Sequence, residues 1–425
     1  MNKDNIDRVL AQIDRDELAQ LACDLTSIPS PTGQEKDVAE FILTWFEANG
    51  LKAIRQEVEV GRPNAVGILQ GEGNGLSLGF NGHTDTSFTG TDEDLRMVAK
   101  VEPSSELRGA IVGNKVRGLG VSNMKGGVAA FMIAGKALRN SGVRLKGDVL
   151  LAAVVGEISR TPVGPWQSKE YRGEGVGTRH LLTHGMHTDY AVVADGSDLN
   201  IVWAQMGVVL VKISVFGKAE AAWGTNRRDF PMDQMNAIVK MTKVIGAMED
   251  WAAGFEERYV YESPTGPLFP KVNIGAIEGG APYRPNYFPG VCNIYVDIRI
   301  PPNVRPVQVL HEIRNALNLL GLVYEVEPYK SLLGHEGRGV EPLVGSAHAV
   351  YQHLFGHPPQ AEAPGRASIW TDTNIYNEMG IPAIKIGPRG RRIGPRNEEI
   401  EIDEIVKAAK IYALMALDIC SRERA

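Results

Sequence analysis

Four times in its first half the chain runs through an apolar segment and then breaks into a polar or glycine-rich turn. Residues 76–80 lead into Gly82-His83-Thr84-Asp85-Thr86, and about forty residues on comes Gly118-Leu119-Gly120-Val121-Ser122-Asn123-Met124-Lys125-Gly126-Gly127. Val154-Val155-Gly156-Glu157 and Val192-Val193-Ala194-Asp195-Gly196 repeat the pattern. Short apolar runs that each end on titratable side chains are what an open α/β sheet requires, because its ligands bind beyond the carboxyl ends of the strands. These turns are therefore where a ligand would meet the sheet.

The rest of the chain fits that frame. At 425 residues, 43% of them hydrophobic, it is long enough for two domains with buried cores. Its net charge of −6, with no basic stripe, argues against a nucleic-acid partner. Cys23, Cys292 and Cys420 are few and far apart, so neither a disulfide framework nor a Cys-based metal site is expected, which fits a reducing cytoplasm. Residues 1–20 are charged and amphipathic, without a signal-peptide core, and no apolar run reaches the length of a membrane span. Apolar spacing predicts helices over 6–25, 35–49, 127–141, 236–254 and 306–320, and strands over 208–216, 272–277 and 292–300. The irregular stretch 159–177 follows Glu157 directly and is expected to form a wall of the site.

The His-x-Asp turn and the later Gly-x-Gly-x-x-Asn-Met-Lys-Gly-Gly run, together with Ile28-Pro29-Ser30-Pro31-Thr32-Gly33, resemble the metallohydrolase family of acetylornithine deacetylase, succinyl-diaminopimelate desuccinylase, aminoacylase and carboxypeptidase G. The resemblance covers nearly the whole chain. It implies an α/β catalytic domain, residues 1–207 and 329–425, with a mixed sheet and helices on both faces. It also implies an inserted smaller α+β lid and dimerisation domain, residues 208–328. In that family two zinc or similar ions share a bridging Asp and a water, and a Glu takes the water's proton as an amide is cleaved.

Carried over residue by residue, His83 and Asp195 match ligands of the first metal, and Asp85 matches the residue that orients the ligating His. Glu157 falls on the general base, although a one-residue shift would make it the second metal's Glu; Asp198 is a weaker alternative to Asp195. Asn123 stands where the bridging Asp belongs, Ile158 stands where the second metal's Glu belongs, and no His follows His357 to close that second site. A bridging carboxylate has nothing to bridge when one ion is gone, so an amide can replace it. The resemblance thus implies a single, labile divalent transition metal per subunit, held by His83, Asn123 and Asp195. This mixed nitrogen and oxygen set does not discriminate sharply among Mn, Zn, Fe and Co.

A further departure lies in the lid, where the family supplies a His that steadies the oxyanion of the tetrahedral intermediate. Residues 218–226 contain none, and losing one such donor typically costs roughly 10²–10³ in acyl-transfer rate. Three readings remain open. The first is a hydrolase that replaces the amine of an electron-poor, nitro-substituted aromatic ring. The second is an N-acyl amino-acid deacylase or dipeptidase with an altered site, and the third is an inactive small-molecule-binding homologue. Arg284, Asn286, Arg366, Arg389 and Trp370 are the predicted substrate contacts, since a guanidinium fork suits a carboxylate or nitro group and an indole suits a flat ring. A small-molecule substrate and a homo-oligomer, at least a dimer through the lid, complete the expectation.

Overall fold

A computed structural model describes residues 2–87, 108–226, 228–229, 231–360, 368–393 and 397–424. Its two compact units are residues 1–203, 337–362 and 371–425, and residues 204–336 with 363–370.

The first unit is built on a six-stranded mixed sheet in the order Lys52–Glu59, Arg62–Leu69, Val149–Val154, Leu78–His83, Tyr190–Val193, Ala383–Lys385. The first three strands neighbour one another antiparallel, and the last four run parallel. Side chains of a strand alternate between faces, and both faces here are apolar. Leu151 and Ala153 point into the larger core with Phe80 and the helices, while Leu150, Ala152 and Val154 meet Val66 and Leu181 on the other side. Strands covered on both faces read as continuous apolar runs, which is why 149–154 carries no polar residue.

Several helices deviate from the spacing-based prediction. The helix expected over 6–25 is two, Lys3–Leu10 and Arg15–Ser27. Asp14 stops the first from continuing into the second, because its carboxylate accepts the Glu17 N–H at 2.7 Å and caps the new start. Helix Gly126–Ser141 packs with Ile402–Ile419 in the main core. Its glycines allow close approach: a methyl group on Gly127 would run into the Ala194 carbonyl oxygen.

The second unit has a four-stranded antiparallel sheet in the order Lys271–Gly279, Val291–Ile300, Gly207–Phe216, Tyr324–Leu332. Helices Ala237–Arg258 and Pro306–Asn318 cover it, with Val211, Ile213, Phe255, Ile294 and Ile313 buried between. The ribbon Ala204–Gln205 with His335–Glu336 belongs to this unit, so the unit reaches beyond the expected 208–328 on both sides.

Candidate metal centre

Three neighbouring parallel strands of the first unit deliver the central residues. His83 ends its strand paired with Val154, three residues before Glu157, and Asn81 pairs with Val193, two residues before Asp195. The register alone therefore gathers His83, Glu157 and Asp195 at the carboxyl ends of the sheet. Asn123 arrives from the turn of helix Val121–Lys125. Its backbone is fixed from the far end of the chain: Glu398 accepts the Ser122 and Asn123 N–H groups at 3.0 and 3.3 Å.

His83 is fully buried. Its Nδ1 lies 3.0 Å from the backbone carbonyl of Asp85 and 3.4 Å from the Asp85 carboxylate. The carboxylate itself accepts from the N–H groups of Glu157 at 3.0 Å and Ile158 at 3.2 Å, and from the Thr32 hydroxyl at 2.8 Å. Asp85 thus ties the imidazole to the backbone that carries Glu157. Ser30 and Thr32 clasp the same turn, Ser30 donating to the Thr84 carbonyl at 2.6 Å.

On the other side of the ring, Nε2 faces Asn123 Oδ1 at 3.0 Å and Glu157 Oε2 at 3.5 Å. With Nδ1 donating to a carbonyl, a neutral imidazole presents a lone pair at Nε2. Asn123 Oδ1 and the Glu157 carboxylate present lone pairs to it as well. These acceptors can face one another only with a proton or a cation among them. Burial alone pulls the His83 pKa down, yet the charge of Glu157, the bond and charge of Asp85 and the charge of Asp195 raise it to about 10. Burial pushes Glu157 well above the usual carboxylate range, against the His83 charge and with the charges of Asp372, Asp195 and Asp85. Such crowding of acids around one imidazole suits a divalent ion, whose charge would replace the His83 proton. Among the described residues no three His, Cys, Asp or Glu side chains form a closed metal-binding group. The donors that do meet are His83, Asn123 and Glu157, and the Asp195 carboxylate accepts from the Gly196 N–H at 2.7 Å.

Asp372 is buried beside these acids, a placement that the sequence analysis did not anticipate. Its Oδ2 accepts from Thr178 at 2.6 Å, Thr178 accepts from Asn81 at 2.8 Å, and Asp372 Oδ1 has no hydrogen-bond partner among the described residues. Burial raises its pKa to about 7, despite the Thr178 bond and the His83 charge and helped by Asp85 and Asp195. Thr32 lies in segment 28–33, where no role was assigned to it, and Glu398 was not singled out in the sequence.

The predicted substrate contacts fall in both units. Arg389 is engaged by the segment after Asp195, donating to the Gly196 carbonyl at 2.5 Å and lying 3.4 Å from Asp198. Arg284 and Asn286 are exposed on a turn of the second unit, where the Arg284 guanidinium sits 4.1 Å above the Tyr287 ring and the Asn286 carbonyl accepts from Ala222 N–H at 2.8 Å. Trp370 is buried in that unit. Arg366 lies outside the described residues. No helix among the described residues is long and apolar enough to cross a membrane.

The strand-end site on a mixed sheet defines a metallopeptidase-like hydrolase, and comparison with known proteins places it. Residues 79–418 match the sequence profile of peptidase family M20/M25/M40, and the chain belongs to that family. It is a metal-dependent hydrolase. It is similar to the N-formyl-4-amino-5-aminomethyl-2-methylpyrimidine deformylase of Bacillus subtilis, 28% identical over 443 residues and spanning 96% of both chains. In fold it is similar to the di-peptidase Dug1p of Saccharomyces cerevisiae, with a TM-score of 0.72 at 12% identity over 100% of both chains. It is also similar to the YXEP protein of Bacillus subtilis, a dinuclear metal-binding peptidase, with a TM-score of 0.62 at 15% identity over 96% of this chain and 98% of that one.

Proposed function

We propose that this chain is a one-metal hydrolase of a C–N bond outside peptides, and that its substrate is a nitro-substituted aromatic amine such as 5-nitroanthranilate, released as 5-nitrosalicylate and ammonia. The observation that carries the one-metal reading is the amide oxygen of Asn123, 3.0 Å from His83 Nε2, where the family pattern has a bridging carboxylate. His83, Asn123 and Asp195 would hold the ion, which when bound supplies Lewis-acid activation of water.

The chain's own residues account for the remaining steps. Glu157, whose carboxylate lies 3.5 Å from His83 Nε2, takes a proton from the attacking water in its ionised form. Oxygen bonds to the ring carbon that bears the amine, and the displaced electron pair moves into the ring and its nitro group. Glu157 returns the proton to the nitrogen, the C–N bond breaks and ammonia leaves. Asp85 keeps the Glu157 backbone in register with His83 throughout. Negative charge never builds on an acyl oxygen, so the absence of a His from residues 218–226 carries no penalty for this reaction.

Amide hydrolysis is the second reading, favoured by the similarity to a deformylase that acts on an aminopyrimidine. The two separate in one assay. Metal-stripped protein, with and without Mn²⁺, is given 5-nitroanthranilate, the N-formyl aminopyrimidine and an N-acetyl amino acid. Metal-dependent ammonia from the first alone supports the aromatic reading; formate from the second, with the first inert, replaces it. We also propose a homodimer formed through the second unit, where Leu319 and Val323 stand 88% and 71% exposed beside the edge strand Tyr324–Leu332. Light scattering on a gel-filtration peak tests it.

A further inference from the structure

Arg62 has no place in the chemistry above, yet its side chain is 0% exposed. A wholly buried guanidinium is costly unless its donors are matched, and here all three nitrogens donate. Nε and Nη2 donate to the two oxygens of Glu35 at 2.9 and 2.6 Å. Nη1 donates to Glu59 at 2.6 Å and to the backbone carbonyls of Lys169 and Arg172 at 3.3 and 3.0 Å. Arg172 in turn reaches Glu59 at 2.6 Å.

These two carbonyls belong to the wall that leaves the sheet immediately after Glu157. The wall returns onto its own start: Glu174 N–H donates to the Glu157 carbonyl at 3.2 Å and Gly175 N–H to the Gly156 carbonyl at 2.9 Å. Gly156 has a φ of +64°, and a methyl group there would lie 2.6 Å from Arg62 Nη2. Glu157 is therefore fastened on two sides, through its N–H by Asp85 and through its carbonyl by a wall that hangs on Arg62.

We propose that Arg62 is a positioning residue for Glu157, acting by clamping segment 158–175 rather than by touching substrate or metal. The proposal rests on the reading of Glu157 as the base, and its test keeps the two apart. Lys169 and Arg172 have exposed side chains, so trypsin can recognise them. The peptide carbonyls it must attack are the ones Arg62 holds. In wild type, cleavage after both residues is slow. In Arg62→Met, at unchanged circular dichroism and Mn²⁺ affinity within about twofold, tryptic cleavage there accelerates at least tenfold. The kcat for whichever substrate wild type turns over falls roughly 10- to 100-fold, with KM within about threefold, a misplacement effect on the bound state. Should the unpaired Glu35 prevent folding, Glu35→Gln/Arg62→Met removes both buried charges and gives the same readouts. Arg62→Lys keeps the charge, loses the fork and gives an intermediate result. Wild-type resistance to trypsin in the folded Met variant, or accelerated cleavage with undiminished kcat, overturns the proposal. A fully active Glu157→Gln beside an accelerated cleavage in Arg62→Met would overturn the base assignment and the positioning role together, leaving the clamp as structure only.

Discussion

Both units have apolar cores, but among the described residues only the first also buries charged side chains. In the first, His83, Asp85, Lys125, Glu35, Arg62 and Asp372 are all inside, each pinned by hydrogen bonds or opposing charge. In the second, the sheet and its helices enclose Val, Ile, Met and Phe, and the charged residues lie outside or half-buried. A buried polar group is stable only in one hydrogen-bonded arrangement, whereas an apolar core tolerates repacking.

The sharpest break of this contrast is Glu157→Gln. Substitution at this isosteric position leaves Mn²⁺ binding in place and lowers kcat by about 10²–10⁴, the usual value of a positioned base. Loss of metal in a titration would show that Glu157 is a ligand. Next, Phe255→Ala in the second core is expected to destabilise that unit by about 3–5 kcal/mol, read by urea unfolding, with Mn²⁺ affinity of the folded protein unaltered. A coupled loss of metal would erase the division of labour.

A pH-dependent contribution is expected from Glu399 in the first unit. Glu399 accepts from Lys115, Arg391 and Arg117, and these bonds lower its pKa from 4.5 to about 2. A carboxylate with a lowered folded-state pKa stabilises the fold above its ordinary value and loses that contribution as pH falls. Urea midpoints of wild type should therefore drop between pH 4.5 and 2 more steeply than those of Glu399→Gln. Parallel slopes would assign the acid sensitivity to other groups. The smallest effect is expected from Arg284→Ala, whose stacking on Tyr287 is worth about 0.5–1 kcal/mol at an exposed site. A much larger change in KM than in stability would make Arg284 a substrate contact.

Much of this was legible from the chain. Apolar runs ending on His83, Glu157 and Asp195 set the strand ends, and strand periodicity together with parallel order sets their alignment. The helix over 6–25 was misjudged because apolar spacing continues through Asp14, whose cap is a local hydrogen bond that hydropathy does not encode. Arg389 was predicted as a substrate contact, and folding brings Gly196 and Asp198 to its guanidinium from almost two hundred residues away, which the sequence did not reveal.

By itself, the sequence determined the architecture and the family, because these depend on residue type and local order. Only the tertiary structure decided that Asp85 serves the Glu157 backbone, that Glu398 sets Asn123, that Asp372 lies buried beside the acids and that Arg62 clamps the wall. Each of those contacts joins residues tens to hundreds of positions apart, and each forms only because desolvation leaves a buried charge no partner but the one the fold supplies.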